Sequence, residues 1–313
     1  MTNYVVRRVL AGIPLIIVVP LLIFLLVDMV PGDPAAILAG ENATPERIEE
    51  VRVALGLDNP VFVRYFLWLK AALMGDLGVS SVASQSVAEL IGRRIGTTVS
   101  LVAVTAVLAA VIGFSLAVIA TLRRGGVVDR AINAATSIAI ALPPFWVGLI
   151  LVAVFAVQIP LLPTSGFVPF AEDPWQWIVH LTLPAIALSL LPAAEITLHL
   201  RSSLGQELST DYVANARAKG LTEPKIIFKH ALKNAAIPVV TVFGYRISEV
   251  LAGTVTIEII YNMPGLGRLA VDSVQSRDVP VLLAFVLFST AVVVVINLIV
   301  DLSYGYFNPK VRA

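Results

Sequence analysis

Four ionisable side chains stand inside runs that are otherwise apolar: Glu195 and His199 at i, i+4, and Arg246 and Glu249 at i, i+3. On a helix each pair shares one face. A charge near a bilayer centre costs at least about 2.5–3.5 kcal/mol on the insertion scale, so such groups face a bundle interior or water. Their chemistry is pairing, or contact with a charged solute, rather than bond-making. Two readings stay open. Either the four line a hydrated path, or Arg246 and Glu249 neutralise each other while Glu195 and His199 snorkel to an interface. Asp28, Glu258 and Asp301 fall near the ends of apolar runs and read as interfacial.

Constellations for covalent chemistry are missing. The chain has no G-x-x-x-x-G-K-S/T phosphate cradle, no H-E-x-x-H and no G-x-S-x-G elbow; "GVSSVAS" lacks the second glycine. Its three histidines, His180, His199 and His230, lie on different segments, and there is no cysteine. Disulfide and thiol chemistry are excluded, and no catalytic or metal-ligating set is assigned. A net charge of +1 gives no reason to expect nucleic acid.

What must position these charges is a membrane bundle. The 313 residues are 58% hydrophobic with a mean hydropathy of +0.90, too apolar for a soluble domain. About 20 apolar residues cross a bilayer. Uncharged runs of that order are Val9–Val27, Thr97–Leu122, Ala131–Val157, Ile178–Ala194 (continuing in more polar form to Leu200) and Val279–Val300. A sixth, Ala235–Ile260, is interrupted by Arg246, Glu249 and Glu258. The first run has 19 residues and no small-x-small cleavage site after it, so it reads as a retained span rather than a secretory signal. Pro143-Pro144, Pro184 and Pro192 are expected as kinks within spans. Trp175 and Trp177 precede the fourth span where an aromatic belt belongs.

Lys and Arg placement sets orientation. With the N-terminus inside, inner segments carry 13 basic residues, Lys310 and Arg312 among them, against 4 acids; outer segments carry 8 against 12. The 66-residue stretch 31–96 is too long for the rule, but without it the outer loops retain only Arg268 and Arg277. Both termini are therefore expected in the cytoplasm. Within the outer stretch, "TPERIEEVRVALG" has Thr44 as a cap, Pro45 in a first turn and Gly56 as a stop. "NPVFVRYFLWLKAALMG" repeats this syntax with Asn59, Pro60 and Gly75. Two short amphipathic helices would form a cap, which either meets an outside partner or only covers the bundle.

One inner segment is unlike its surroundings. Asp211–Val240 carries Arg217, Lys219, Lys225, Lys229 and Lys233, with Gly220 between two helical patterns. Thr210 or Asp211 can cap the first, and Thr222 or Glu223 the second, with Pro224 in its first turn. Lys225, Lys229 and Lys233 form a basic stripe beside an apolar face of Ile227/Ala231 and Phe228/Leu232. Such an element fits a groove on a cytosolic partner, or lies in the interface and attracts anionic lipid.

"YVANARAKGLTEPKIIFKHALKNAAIPVV" resembles the cytoplasmic coupling loop of ABC-importer permeases of the dipeptide, oligopeptide and nickel branch. That loop is written Glu-Ala-Ala, three residues, Gly, nine residues, Ile-x-Leu-Pro. Gly220 takes the glycine and Ala216 the second alanine, while Ala214 replaces Glu, Asn215 replaces the first alanine, and "HALK" (His230–Lys233) replaces Ile-x-Leu-Pro. The peptide branch departs from the general consensus in this way. In the same order, "VPGDPA" (Val30–Ala35), "LGLDNPVFVRYFLWLKAALMGDLGVS" (Leu55–Ser80), "ALPPFWVG" (Ala141–Gly148), "GTVTIEIIYNMPGLGRL" (Gly253–Leu269) and "SRDVPV" (Ser276–Val281) are similar to segments of that branch. They point to the first permease subunit of a peptide importer.

The resemblance implies an all-α polytopic protein with six transmembrane helices, the ABC type I importer permease fold. Its parts would be the N-terminus and first span (1–30), an extracytoplasmic cap segment (31–96) and a permease core (97–313) with the coupling loop at 207–237. Ala214, Ala216, Arg217, Lys219, Gly220, Pro224, Phe228, His230 and Leu232 would dock an ATPase. Glu195, His199, Arg246 and Glu249 would line the path of a peptide. Implied partners are a related second permease in a heterodimer, one or two ABC ATPase subunits that hold ATP and Mg, an extracytoplasmic substrate-binding protein and the lipid bilayer of a bacterial or archaeal cytoplasmic membrane. No cofactor is expected on this chain. The alternatives are a proton-coupled secondary transporter, or the same fold importing nickel, glutathione-like compounds or oligosaccharides.

Overall fold

The computed structural model describes residues 2–29, 34–40, 43–54 and 56–307. The first four residues of "VPGDPA", Leu55, and the inner-side charges Lys310 and Arg312 lie outside the described residues. Helices in chain order are α1 (Thr2–Asp28), α2 (Pro34–Ala39), α3 (Pro45–Ala54), α4 (Val61–Leu73), α5 (Val87–Leu122), α6 (Val127–Ala141), α7 (Pro144–Val152), α8 (Pro174–Glu207), α9 (Asp211–Ala218), α10 (Glu223–Ile226), α11 (Leu232–Ile260), α12 (Leu266–Gln275) and α13 (Val279–Phe307). Two π-helical turns, Ala153–Gln158 and Ile227–Ala231, extend α7 and join α10 to α11. Five helical segments are long and apolar enough to span a membrane, and α6 with α7 makes a sixth if the bent pair is one span.

Prolines act differently by position. Pro184 and Pro192 are buried inside α8, which stays helical over 34 residues, as expected of kinks. The Pro143-Pro144 pair does more: α6 and α7 meet at 102°. A proline keeps its predecessor out of the helical region, so two in succession exclude two residues. Leu142 and Pro143 are accordingly extended, at ψ 123° and 135°. Pro144 then starts α7, where its missing N–H is harmless. The expected kink is a break.

The chain divides into two compact units. The first comprises residues 1–9, 96–268 and 295–313, and α8 is its spine. Asp173 starts α8 by accepting the N–H groups of Trp175 (2.9 Å) and Gln176 (3.0 Å). One apolar core gathers Leu181, Leu183 and Leu188 of α8 with Leu101, Val147, Val250, Ile257 and Tyr261. A second gathers Ile196, Leu200 and Leu204 with Ala109 and Ala117 of α5 and with Ile227, Ala231 and Ala235. Gly113 lets α5 and α8 touch: a Cβ there would sit 2.7 Å from that of Ile196, and Thr197 donates to the Gly113 carbonyl at 3.2 Å.

Glu258, near the end of its apolar run, does not face solvent. It is fully buried, accepting the Thr98 hydroxyl at 2.6 Å and the Arg268 N–H at 3.0 Å. Thr98 in turn accepts the Leu266 N–H at 2.8 Å. Gly265 and Gly267 lie against the carboxylate, and a side chain at 265 would occupy its place. The carboxylate therefore fills the mouth of the α12 N-terminus, where backbone donors point outward and negative charge is favoured.

The second unit comprises residues 10–95 and 269–294. Thr44 caps α3 as expected, accepting the Arg47 N–H at 3.3 Å, and Gly56 (φ +63°) follows it. Asn59 does not cap α4; Pro60 holds that position and Asn59 donates to the Gly56 carbonyl. The outer face of α4 is also less polar than its sequence suggested. Tyr65 is buried against α1, donating to the Ile17 carbonyl at 2.5 Å and stacking edge-on against Phe24, while Arg64 pairs with Asp28. Phe62, Val63, Phe66 and Leu67 remain exposed, so α4 lacks the polar outer face of a surface amphipathic helix. Buried Asp278 holds the 78–86 turn by accepting from the Ser80 hydroxyl and the Ser81 N–H.

Replacing Glu258 by Leu strands the donors it accepts. Each buried unsatisfied group costs about 1–3 kcal/mol, so the detergent-solubilised chain is expected to melt at a clearly lower temperature. Glu258→Gln, which keeps an acceptor, should lose less. An unchanged midpoint in Glu258→Leu would overturn the assignment of Glu258 as the anchor of residues 261–268.

Candidate functional site

The segment 207–237 folds as a closed module. α9 ends in a Schellman turn: Gly220 N–H donates to the Arg217 carbonyl (2.9 Å) and Leu221 N–H to that of Ala216 (3.3 Å). Gly220 has φ +80°, a conformation that a β-branched residue avoids. Ala216, Val213 and Ile226 are buried together beneath this turn, with Leu221 and Leu208 packed alongside. Thr210 and Thr222 occupy the two N-cap positions, yet neither hydroxyl caps; Thr210 donates to the Glu207 carbonyl instead.

Arg217 is the clasp. Its guanidinium grips Glu223 through two bonds (2.6 and 3.2 Å) and donates to the Leu208 carbonyl at 3.1 Å, joining α9 to the start of α10 and the end of α8. Tyr212 adds a second tie, donating to Glu207 at 2.6 Å, with Asn234 of α11 reaching both at 3.4 and 3.5 Å. Burial, and then the Glu207 carboxylate, push the Tyr212 phenol pKa up, keeping it a donor. Exposed on the module are Ala214, Arg217, Lys219, Gly220, Pro224 and Phe228; His230 and Leu232 are half-buried, and Ala216 is buried.

The second helix is not free-standing as the sequence suggested. It continues through the π turn into α11, so residues 223–260 form one helical segment. Ile226 faces the small core under α9 while the adjacent Ile227 joins the core of α5 and α8. Consecutive residues point about 100° apart on a helix, so one helix serves both. Phe228, expected on the apolar face, is 59% exposed, and the buried row is Ile227, Ala231 and Ala235. Lys225, Lys229 and Lys233 are all exposed.

The membrane-depth charges meet in one cluster. Arg246 of α11 forms a bidentate pair with Glu195 of α8 and a further bond to Glu249 one turn along. The expected Arg246–Glu249 pair is present, but Glu195 is drawn into it rather than snorkelling. His199 is exposed on α8 and shares no contact with the three. Two carboxylates against one guanidinium leave one negative charge, and Glu249, at 43% exposure, presents it. A second interhelical bridge joins Arg201 of α8 to buried Asp129 of α6 at 2.8 and 2.9 Å.

Comparison with known proteins bears on what this arrangement serves. Residues 109–313 match the family described as binding-protein-dependent transport system inner membrane component, and residues 1–103 match the N-terminal family of the same membrane component. The chain belongs to this family. It is a multi-pass permease of the inner membrane. Full-length relatives include a probable peptide ABC transporter permease, y4tP, of Sinorhizobium fredii, 37% identical over 99% of both chains. The glutathione transport system permease GsiC of Escherichia coli is 40% identical over 100% of this chain and 99% of its own. A putative peptide transport system permease of Brucella abortus is 36% identical over the same shares. A chain of the methionine ABC transporter MetNI, in an inward-facing form, covers 70% of this chain and 96% of its own at TM-score 0.58 and 17% identity. That likeness is one of fold, the type I importer permease fold.

Sequence reasoning about the permease overlooked the Glu195–Arg246 and Asp129–Arg201 bridges, whose partners stand 51 and 72 positions apart. The signal available was chemical: an unpaired charge at depth demands a partner somewhere. The consequence is an order of severity. Arg246→Leu leaves two carboxylates without a cation, about 3–5 kcal/mol by analogy with buried pairs. Glu195→Gln should lose less, and half-exposed Glu249→Gln least, because solvent screens it. Arg246→Leu/Glu249→Leu still strands Glu195, so stability should return only when Glu195 is also neutralised. Thermal midpoints of the four variants check this; recovery in the double replacement would show that Glu195 is solvated.

Proposed function

We propose that this chain is one of two related permease subunits of an ATP-driven importer of peptides or glutathione-like compounds. The cargoes in the relatives' names, peptide and glutathione, support that class. The observation that carries the mechanism is the module itself: a short polar helix locked by a Schellman turn, an arginine clasp and a tyrosine tie to the ends of α8 and α11. A loop that only set topology would need lysines but no such locking. A joint that transmits force does need it, because slack in the joint absorbs the displacement it should pass on.

In this reading both termini face the cytoplasm, following the basic bias of the inner segments. The exposed residues Ala214, Lys219, Pro224 and Phe228 enter a cleft on an ABC ATPase, which holds ATP and Mg. Gly220 and Arg217, also exposed, set the shape of the module, with buried Ala216 and half-buried His230 and Leu232 packed behind it. A binding protein delivers cargo from outside. Glu249 offers a carboxylate to the cargo's ammonium, while Arg246 is held by Glu195 and His199 flanks the cytoplasmic exit.

Replacing Gly220 with Val forces a β-branched residue to φ near +80°, a left-handed geometry costing about 1–2 kcal/mol. The variant is expected to insert, yet to lose most co-purification with its ATPase and most vanadate-sensitive uptake in proteoliposomes. Undiminished uptake in Gly220→Val would reject the docking role. Uptake stopped by proton uncouplers but not by vanadate would favour a secondary transporter.

A further inference from the structure

Where Leu122 ends α5 and Glu207 ends α8, the first unit holds a crevice of about 420 Å³ lined by Thr121, Arg124, Arg201, Ser202, Gly205 and Ser209. A contiguous recess of about 390 Å³ shares Arg124 and Ser209 and adds Leu122, Leu208 and Arg217. Three arginines converge here. Two are spoken for, since Arg201 grips Asp129 and Arg217 grips Glu223. The third has no carboxylate partner among the described residues. Arg124 lies over Gly205, its guanidinium 3.5 Å from where a Cβ would stand, so the missing side chain makes room for it. Ser202, also exposed, lines the same crevice. Three guanidiniums against two carboxylates leave one positive charge in a walled space with a free planar fork.

We propose that this crevice binds a phosphate-bearing anion, with Arg124 as its principal donor and Ser202 as a second. The size of the space suits a headgroup, and the apolar wall of Leu122 and Leu208 suits the first carbons beyond it. Basic pockets between spans at the membrane surface take acidic phospholipid in this manner. Inorganic phosphate carries the same recognised group. An anion seated there touches α5, α8 and, through Ser209 and Arg217, the module, and so ties the joint to a span outside it. Which leaflet supplies the lipid rests on the orientation proposed above; the binding does not, and its test needs neither cargo nor ATPase.

Full-length chain in zwitterionic detergent is titrated with phosphatidylglycerol in mixed micelles, and separately with inorganic phosphate at constant ionic strength. Phosphatidylcholine serves as the control, and the thermal midpoint is the readout. Phosphatidylglycerol should raise the midpoint saturably and phosphatidylcholine should not. Loss of one charge-assisted contact should weaken the apparent affinity roughly tenfold in Arg124→Gln. Ser202→Asp, which places a carboxylate in the crevice, should abolish the response. Both positions are exposed, so the unliganded midpoints should stay at the wild-type value. A saturable response to inorganic phosphate alone, weakened by the same two substitutions, supports the site and assigns it to the free anion. No saturable response to either probe, or an equal response in both variants, overturns the proposal.

Discussion

Hydrocarbon offers no hydrogen-bond partner, so every polar group carried into a span must find its complement within the protein. In the first unit this constraint decides which helices meet and in what register. Just outside the apolar runs, buried Asp129 follows the same rule and accepts from Arg201, tying α6 to α8. Glu195 accepts from Arg246, tying α8 to α11. Glu258 accepts from Thr98 of α5 and from the backbone of α12. Apolar packing tolerates sliding by a turn, because one leucine resembles the next. A carboxylate and a guanidinium do not tolerate it, since a slip of one turn moves them about 5.4 Å apart and strands both. These few bonds pin a bundle whose remaining contacts are interchangeable.

What could be read from the sequence follows from the range over which each rule acts. Spans were legible because length and apolarity are properties of one segment, and five of them reappear as helices with longer ends. Gly220 was legible because a helix stop is local, and Thr44 for the same reason. The break at Pro143-Pro144 was read as a kink because each proline was weighed alone, whereas their restrictions act on successive residues. The burial of Glu258 was not legible, because its place near a span end says nothing of what packs around it. The charge cluster shows the limit most clearly. Glu249 was found as a partner of Arg246 because both lie on one helix, while the bidentate partner Glu195 sits on another. Periodicity reports faces, and it cannot say which two faces will be brought together.

Neighbouring residues on a helix point about 100° apart, so Ile226 fills the small core beneath α9 while Ile227 fills the core between α5 and α8. The π turn at Ile227–Ala231 carries this helix on into α11 without ending it. The helix that leaves the module is consequently the helix that carries Arg246 and Glu249. At about 1.5 Å per residue, the cluster lies on the order of 30 Å along the same rod from Lys225. A rod of that length converts a small tilt at one end into a displacement of several ångströms at the other. Both cores hold this segment as well as α8, through Ile227, Ala231 and Ala235 in one and Val250 and Ile257 in the other. The module ties the ends of α8 and α11 together, and the Glu195–Arg246 bridge joins the same two helices again farther along, so in the proposed reading movement imposed on the module reaches the charged cluster through both.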